Sequence, residues 1–448
     1  MLDPRGGMGS MGPQSPTAAV VQADLLDRID HDRVRAGEAA RQHCGQPVLA
    51  VVLPQSSGDV EYAIQVARRR HVALEVRYGK GARRAIDGEA TADLREAIAL
   101  DASTLTAPLA IDIGRRLATV GAGVEVHALD RAARLARLSV RGLPLWPETT
   151  VGQLLAAGDP GELAIGEAAF LADLVAARVV TGAGRSLQLG AAQLCGLLAT
   201  PAPGLPSPLG LLAGHAGRAL VVCDVTVRLH RAAWTATARG TLPPERAALL
   251  GFFAAARALL GRGAIDTLRL VESAGSAEVW VRAISHRDAA DAALVAADVA
   301  TALAAAHVAL EPFAAEDLRT RRGQLAPPHV EEPATVPTLE LQVAWPDLPA
   351  LLDVLDAVAG RAALPVERAW SVAPDMVRLR LPLSGPTPHP LLAATPHLLD
   401  AGAIPIAAAG RWRPALRERM APAAKVLLTA LHRVFDPDGL VSPGSGLP

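Results

Sequence analysis

A strand, a helix and a second strand running straight into two glycines constrain this chain more than any other stretch. Val48 to Leu53 is a continuous apolar run of strand length, closed by Pro54. Ser56-Ser57-Gly58-Asp59 carries helix-start chemistry, and Val60, Ile64 and Ala67 then share one helical face. Val72 to Val76 is the second strand, and Gly79 and Gly81 follow at once. Such a βαβ-like unit presents bare backbone N–H groups at its glycine loop, which suits phosphate. The same glycines also serve as ordinary turn residues.

More strands follow. Ala97 to Asp101, Leu117 to Gly121, Ala176 to Val180 and Leu220 to Leu229 have strand patterns, the last with Val221, Cys223, Val225, Val227 and Leu229 on one face. A helix is expected from Val126 to Leu138. Beyond residue 232 helices at 246–260, 289–305 and 348–359 alternate with strands at 278–283 and 339–343. The strand–helix rhythm of 265–305 roughly repeats there, and a Pro-rich, acidic linker spans 324–337. The spacing predicts an N-terminal arm and helix over 1–44, partly disordered, a first domain over 45–232, a second over 233–424, and a closing segment over 425–448.

At 448 residues, the chain has ample material for two or three domains. A formal net charge of -1 gives no broad field for nucleic acid or anionic lipid. Cys44, Cys195 and Cys223 are scattered and odd in number, which argues against a disulfide framework or an internal metal cluster. A reducing cytoplasm follows as the simplest location. The Met/Gly/Pro/Ser-rich start up to Pro16 lacks a charged region followed by an apolar core, so it reads as a disordered arm rather than a secretory signal. Prolines 201, 203, 206 and 208 interrupt the longest uncharged run, which excludes it as a spanning helix.

The end of the chain, Phe435-Asp436-Pro437-Asp438-Gly439-Leu440-Val441-Ser442-Pro443-Gly444, resembles the closing signature of the FAD-linked oxidases of the vanillyl-alcohol oxidase or p-cresol methylhydroxylase type. Other landmarks follow in the family's order. Pro54 to Val60 resembles its opening helix. Arg77-Tyr78-Gly79-Lys80-Gly81-Ala82 resembles its first glycine loop, and Leu100 to Leu105 its Leu-Asp-x-Ser-x-Leu. Thr119-Val120-Gly121-Ala122-Gly123-Val124 is a close match, and Thr150-Val151-Gly152-Gln153 resembles its second flavin-cradling loop. Gly158-Asp159-Pro160-Gly161 is similar to its Asn-Gly-x-Gly region. Val179 to Leu187 resembles the glycolate oxidase FAD-binding subunit, and Gly214 to Val222 the strand beside the flavin.

The resemblance implies an α+β fold: a two-part FAD-binding domain of the p-cresol methylhydroxylase type and an α+β cap domain with an antiparallel sheet. It implies non-covalent FAD, since no His follows the first glycine loop. The implied cofactor residues are Arg77, Tyr78, Gly79, Lys80, Gly81, Ala82, Thr150, Val151, Gly152, Gln153, Asp159, Gly161, Val221 and Val222. The implied activity is oxidation of a 2-hydroxy acid such as glycolate or D-lactate by hydride transfer to flavin. Arg411 and Arg413 either bind the substrate carboxylate or form a basic surface turn. No catalytic base is assigned and no metal is implied. Electrons would pass to oxygen, a quinone, or an iron–sulfur or paralogous oxidase subunit, and such partners would hold the chain peripherally at the inner membrane.

Departures gather at the cofactor positions. Tyr78 and Gln153 replace loop glycines, Leu220 stands in place of Gly and Cys223 in place of Thr. Tyr78 either stacks on adenine or flavin or fills the space of lost glycine neighbours. Lys80 and Arg83 either neutralise pyrophosphate or are solvated. Cys223 reads as a small core residue. These losses leave open a degenerate, non-catalytic partner subunit of an intact flavoenzyme. The Thr150-Val151-Gly152 turn is expected to lie outside the core, so that a side chain at 152 would empty the site and spare the fold.

Overall fold

The computed structural model describes residues 18–45, 47–79, 97–144, 148–157, 170–190, 209, 212, 217, 219–243, 245–260, 265–273, 276–313, 338–362, 368–372, 376–382, 390–405, 418 and 422–441. Its first layer is a four-stranded sheet in the order Val34–Ala36, Ala50–Val52, Ala97–Asp101, Ala73–Arg77. The last three run parallel. The two strands of the βαβ unit are therefore not neighbours, because Ala97–Asp101 inserts between them. This inner strand is buried on both faces, which is why its first four residues read as one apolar run.

The crossover helix Ser57–Arg70 begins with a capping box. Ser56 accepts from the Asp59 N–H at 3.2 Å, and the Asp59 carboxylate accepts back from the Ser56 N–H at 3.1 Å. Its apolar face buries Val60, Ile64 and Ala67, as the periodicity predicts.

The second layer is a five-stranded antiparallel sheet in the order Leu109–Asp112, Leu117–Gly121, Leu220–Arg228, Leu174–Thr181, Ser186–Gly190. Its central strand is buried on both faces from Leu220 to Val225, so the single inward face expected from the alternation becomes two. The helix Val126–Leu135 ends earlier than the apolar pattern suggests, since Arg137 adopts a left-handed φ of 55° and Leu138–Ser139 then pairs as a strand. Gly121 and Gly123 allow close approach: a Cβ on either would run into the backbone of residues 103–107. The Thr119–Val124 motif is thus explained by packing between backbones.

One hydrophobic core joins these layers and a second fills the later part of the chain. There, an eight-stranded antiparallel sheet runs Ala309–Phe313, Trp234–Leu242, Ser276–Ser285, Ile265–Ser273, Arg368–Val372, Met376–Pro382, Thr338–Ala344, Ile404–Pro405. It consists of two βαββαβ units joined where Ile265–Ser273 pairs with Arg368–Val372. The repeat seen in the sequence is real, but the first unit starts one strand and one helix before residue 265, at Trp234, and the second starts at Thr338. Helices Arg246–Leu260, Ala289–Ala304 and Leu348–Ala362 belong to these units. Phe253 meets Trp345 and Trp370 edge to face in their shared core. The expected linker at 324–337 lies outside the described residues. Among the described residues, no helix is long and apolar enough to cross a membrane.

The closing segment returns to the first sheet. Leu74 donates its N–H to the Leu440 carbonyl at 2.8 Å, and Val441 bridges Leu74 in parallel. Asp436, 2% exposed, makes the turn: its carboxylate accepts the N–H groups of Leu440 at 3.1 Å and Val441 at 2.9 Å. Asp436→Ala leaves both donors, the buried Val441 N–H among them, without this acceptor and should lower stability by roughly 1–3 kcal/mol, measured by chemical denaturation.

Candidate functional site

The two glycine loops meet. The first leaves the strand Ala73–Arg77, and the second opens the helix Val151–Ala157. Thr150 donates its hydroxyl to the Tyr78 carbonyl at 2.5 Å. Behind both lies the start of the central strand Leu220–Arg228, where the Val222 N–H donates to the Tyr78 phenol oxygen at 2.8 Å. Tyr78, Gly79, Thr150, Val151, Gly152, Gln153 and Val222 thus form one cluster, with Val221 wholly buried in the same strand. Arg77 points elsewhere: its guanidinium donates to the Cys44 carbonyl at 3.1 Å. Lys80, Gly81, Ala82, Asp159, Gly161, Arg411 and Arg413 lie outside the described residues.

The space between the loops is filled by side chains. The Tyr78 ring lies against Gly152, where any Cβ would collide with it, and an added Cβ at Gly217 would sit 3.2 Å from its far edge. The Gln153 carboxamide lies against Gly79 in the same way. Tyr78 is 4% exposed, and burial holds its phenol well above the ordinary range against the lowering effect of the Val222 N–H.

Gln153 has a local cause that the sequence carried and the reading above missed. Thr150-x-x-Gln153 is a capping box: Gln153 N–H donates to Thr150 Oγ1 at 3.1 Å, and Thr150 N–H donates to Gln153 Oε1 at 3.0 Å. Val151 N–H donates to the Val124 carbonyl at 2.9 Å and Gly152 N–H to the Ala122 carbonyl at 2.7 Å.

Beside the cluster, a cleft of about 570 Å³ is lined by Arg35, Gln42, His43, Arg77, Gly79 and Asp101. Arg35 donates to His43 Nδ1 at 3.0 Å, so the imidazole proton sits on Nε2, 2.7 Å from the Asp101 carboxylate. Asp101 also accepts from the N–H and hydroxyl of Ser103.

A second missed feature is a row on the cap sheet. Arg239, Trp280, Arg269, Ser371, Arg378 and Gln342 are cross-strand partners in succession and share one face. Their neighbours Leu268, Leu270, Val377, Leu379 and Leu341 form the core on the opposite face. Arg269 and Arg378 are 5% and 6% exposed, and burial together with Arg378 lowers the Arg269 pKa to about 10. The alternation of Val377, Leu379 and Leu381 with Arg378 and Arg380 was the available signal.

Residues 48–190 match the FAD binding domain family. Three solved structures share the fold over almost the whole chain. A 4-ethylphenol oxidase from Gulosibacter chungangensis is 15% identical, with a TM-score of 0.72 over 96% of this chain and 97% of that one. p-Cresol methylhydroxylase with substrate bound is 12% identical, with a TM-score of 0.74 over 96% of each chain. An alkyldihydroxyacetonephosphate synthase is 15% identical, with a TM-score of 0.70 over 95% of this chain and 85% of that one. Residues 48–190 thus form an FAD binding domain, and the chain has the fold of p-cresol methylhydroxylase. The matched domain is one that binds FAD. No curated protein sequence matches the chain.

Within this fold, backbone N–H groups in the described part of the cradle are engaged by the protein itself. A pyrophosphate needs backbone donors. Those of Thr150, Val151, Gly152, Gln153 and Val222 are all taken by protein acceptors.

Gly152 corrects an expectation. It is a buried position in a helix, not an outlying turn. Glycine to alanine in a helix interior ordinarily stabilises by about 1 kcal/mol, but here the Cβ meets the Tyr78 ring. Gly152→Ala should lower stability by roughly 1–3 kcal/mol. Gly152→Ala combined with Tyr78→Ala should lose less than the sum of the two singles, as a double-mutant cycle by denaturation would show.

Cys223 is 3% exposed, and burial beside Asp224 pushes its pKa up to about 12. At pH 8 its thiol stays protonated. Iodoacetamide should label it only after unfolding, as peptide mass spectrometry of native and denatured samples would show.

Proposed function

We propose that this chain is a subunit of a flavin-dependent oxidoreductase whose substrate is a 2-hydroxy acid such as glycolate or D-lactate. The observation that carries the proposal is the FAD binding domain over residues 48–190 within a fold shared with p-cresol methylhydroxylase. The likeness of Val179 to Leu187 to the glycolate oxidase FAD-binding subunit supports the substrate class. So does the arginine row of the cap sheet, since guanidinium is the side chain best shaped for a carboxylate. Arg411 and Arg413 are assigned to the same task. An iron–sulfur or paralogous oxidase subunit is the proposed partner, with the assembly in the cytoplasm and held at the inner membrane through that partner.

The filled cradle favours a second reading, in which this chain is the non-catalytic member of such an assembly and an intact paralogue carries the flavin. The two readings differ in whether this chain holds FAD itself. An absorbance spectrum of the purified protein, before and after adding FAD and then glycolate or D-lactate without oxygen, separates them. Flavin bands that bleach with a hydroxy acid support the first. A colourless protein that takes up no FAD removes the first and leaves the second.

A further inference from the structure

We propose that Tyr78 and Gln153 are the resident occupants of the FAD cradle, standing where the cofactor's phosphate bridge would lie, so that the domain closes without flavin. The inference concerns this chain's own residues and does not rest on the proposed substrate.

The contacts are reciprocal. Tyr78 reaches from the first loop onto Gly152 of the second, and Gln153 reaches from the second onto Gly79 of the first. Each large side chain uses the bare backbone of the opposite loop. Their oxygens are engaged as acceptors as well. The Tyr78 phenol takes the Val222 N–H at 2.8 Å, and the Gln153 carboxamide oxygen takes the Thr150 N–H at 3.0 Å. An aromatic ring and an amide thus provide the two things a nucleotide would provide here, apolar filling and hydrogen-bond acceptors for buried donors. FAD can enter only by expelling both, which breaks these bonds and exposes a ring that is 4% exposed. Ligand affinity falls by the fraction of molecules in the open form.

The test compares wild type, Tyr78→Phe, Tyr78→Gly and Tyr78→Gly/Gln153→Gly. FAD is titrated into each while flavin fluorescence and the thermal unfolding midpoint are followed. Wild type should unfold cooperatively without flavin and show no FAD-dependent shift in midpoint. Tyr78→Phe keeps the ring and should also exclude FAD. Tyr78→Gly and the double variant should melt lower without ligand, and FAD should bind them at least about 100-fold more tightly than wild type and raise their midpoints.

Wild type that binds FAD as tightly as the glycine variants would overturn the proposal. Folded glycine variants that still exclude FAD would also overturn it. Should the glycine variants not fold, hydrogen exchange of wild type decides: a protected Val222 amide, unchanged by FAD, upholds the proposal, and an amide exchanging freely or protected only by FAD overturns it. Wild type that loads flavin overturns this proposal, and loaded flavin that no hydroxy acid bleaches removes the hydroxy-acid reading as well.

Discussion

The hydrogen bond from the Val222 N–H to the Tyr78 phenol is the contact on which the first domain's closure depends. It ties the edge strand of the four-stranded sheet to the central strand of the five-stranded sheet. Val222 is wholly buried, and a buried N–H without an acceptor costs about 1–3 kcal/mol. The Thr150 hydroxyl fixes the same residue by its carbonyl, so Tyr78 is held at both ends. The helix Val151–Ala157 is then placed by its own cap and by the Ala122 and Val124 carbonyls. Loop, helix and strand meet at one tyrosine, one of two in the chain.

A phenol suits this place because it stays neutral. Burial drives its pKa upward, so the group that accepts from Val222 carries no charge at any ordinary pH. A carboxylate there would bring an ionised group into a site where Cys223 and Leu220 are also buried. Asp436 shows the other solution. It is a buried acid whose pKa is raised by desolvation and pulled back by the N–H groups of Val441 and Leu440. It tolerates its position because two donors converge on it.

Much of this was legible in the sequence. The strands Ala97–Asp101 and Leu117–Gly121 lie where their patterns place them, and Ser56 caps the helix that its chemistry announces. The α+β fold and the FAD binding domain follow from motifs in order. Strand order did not, because a continuous apolar run such as Ala97–Asp101 fixes burial on both faces but not which neighbours provide it. The central strand Leu220–Arg228 hid its second buried face for the same reason. The helix at Val126 stops where Arg137 turns left-handed, a backbone choice that apolar spacing cannot report. At the site, Thr150-x-x-Gln153 was readable as a cap, but family likeness drew attention to the glycine that Gln153 replaces. Tyr78 was harder, since only the fold shows that its ring crosses to Gly152.

The surviving glycines therefore carry a different meaning from the one their motif suggests. In a cradle open to phosphate, Gly79 and Gly152 leave room for the ligand. Here each leaves room for a side chain of the opposite loop, Gln153 on Gly79 and Tyr78 on Gly152. The two replaced positions and the two retained ones form one interlocked set: restoring a side chain at either glycine collides with the residue opposite. Close packing resists both added and removed volume. Glycine at 152 is thus required by the packing of this chain whether or not a nucleotide ever enters, and its retention does not by itself argue for a bound flavin. What decides is the replaced half, where the ring and the amide hold the space that the glycines leave.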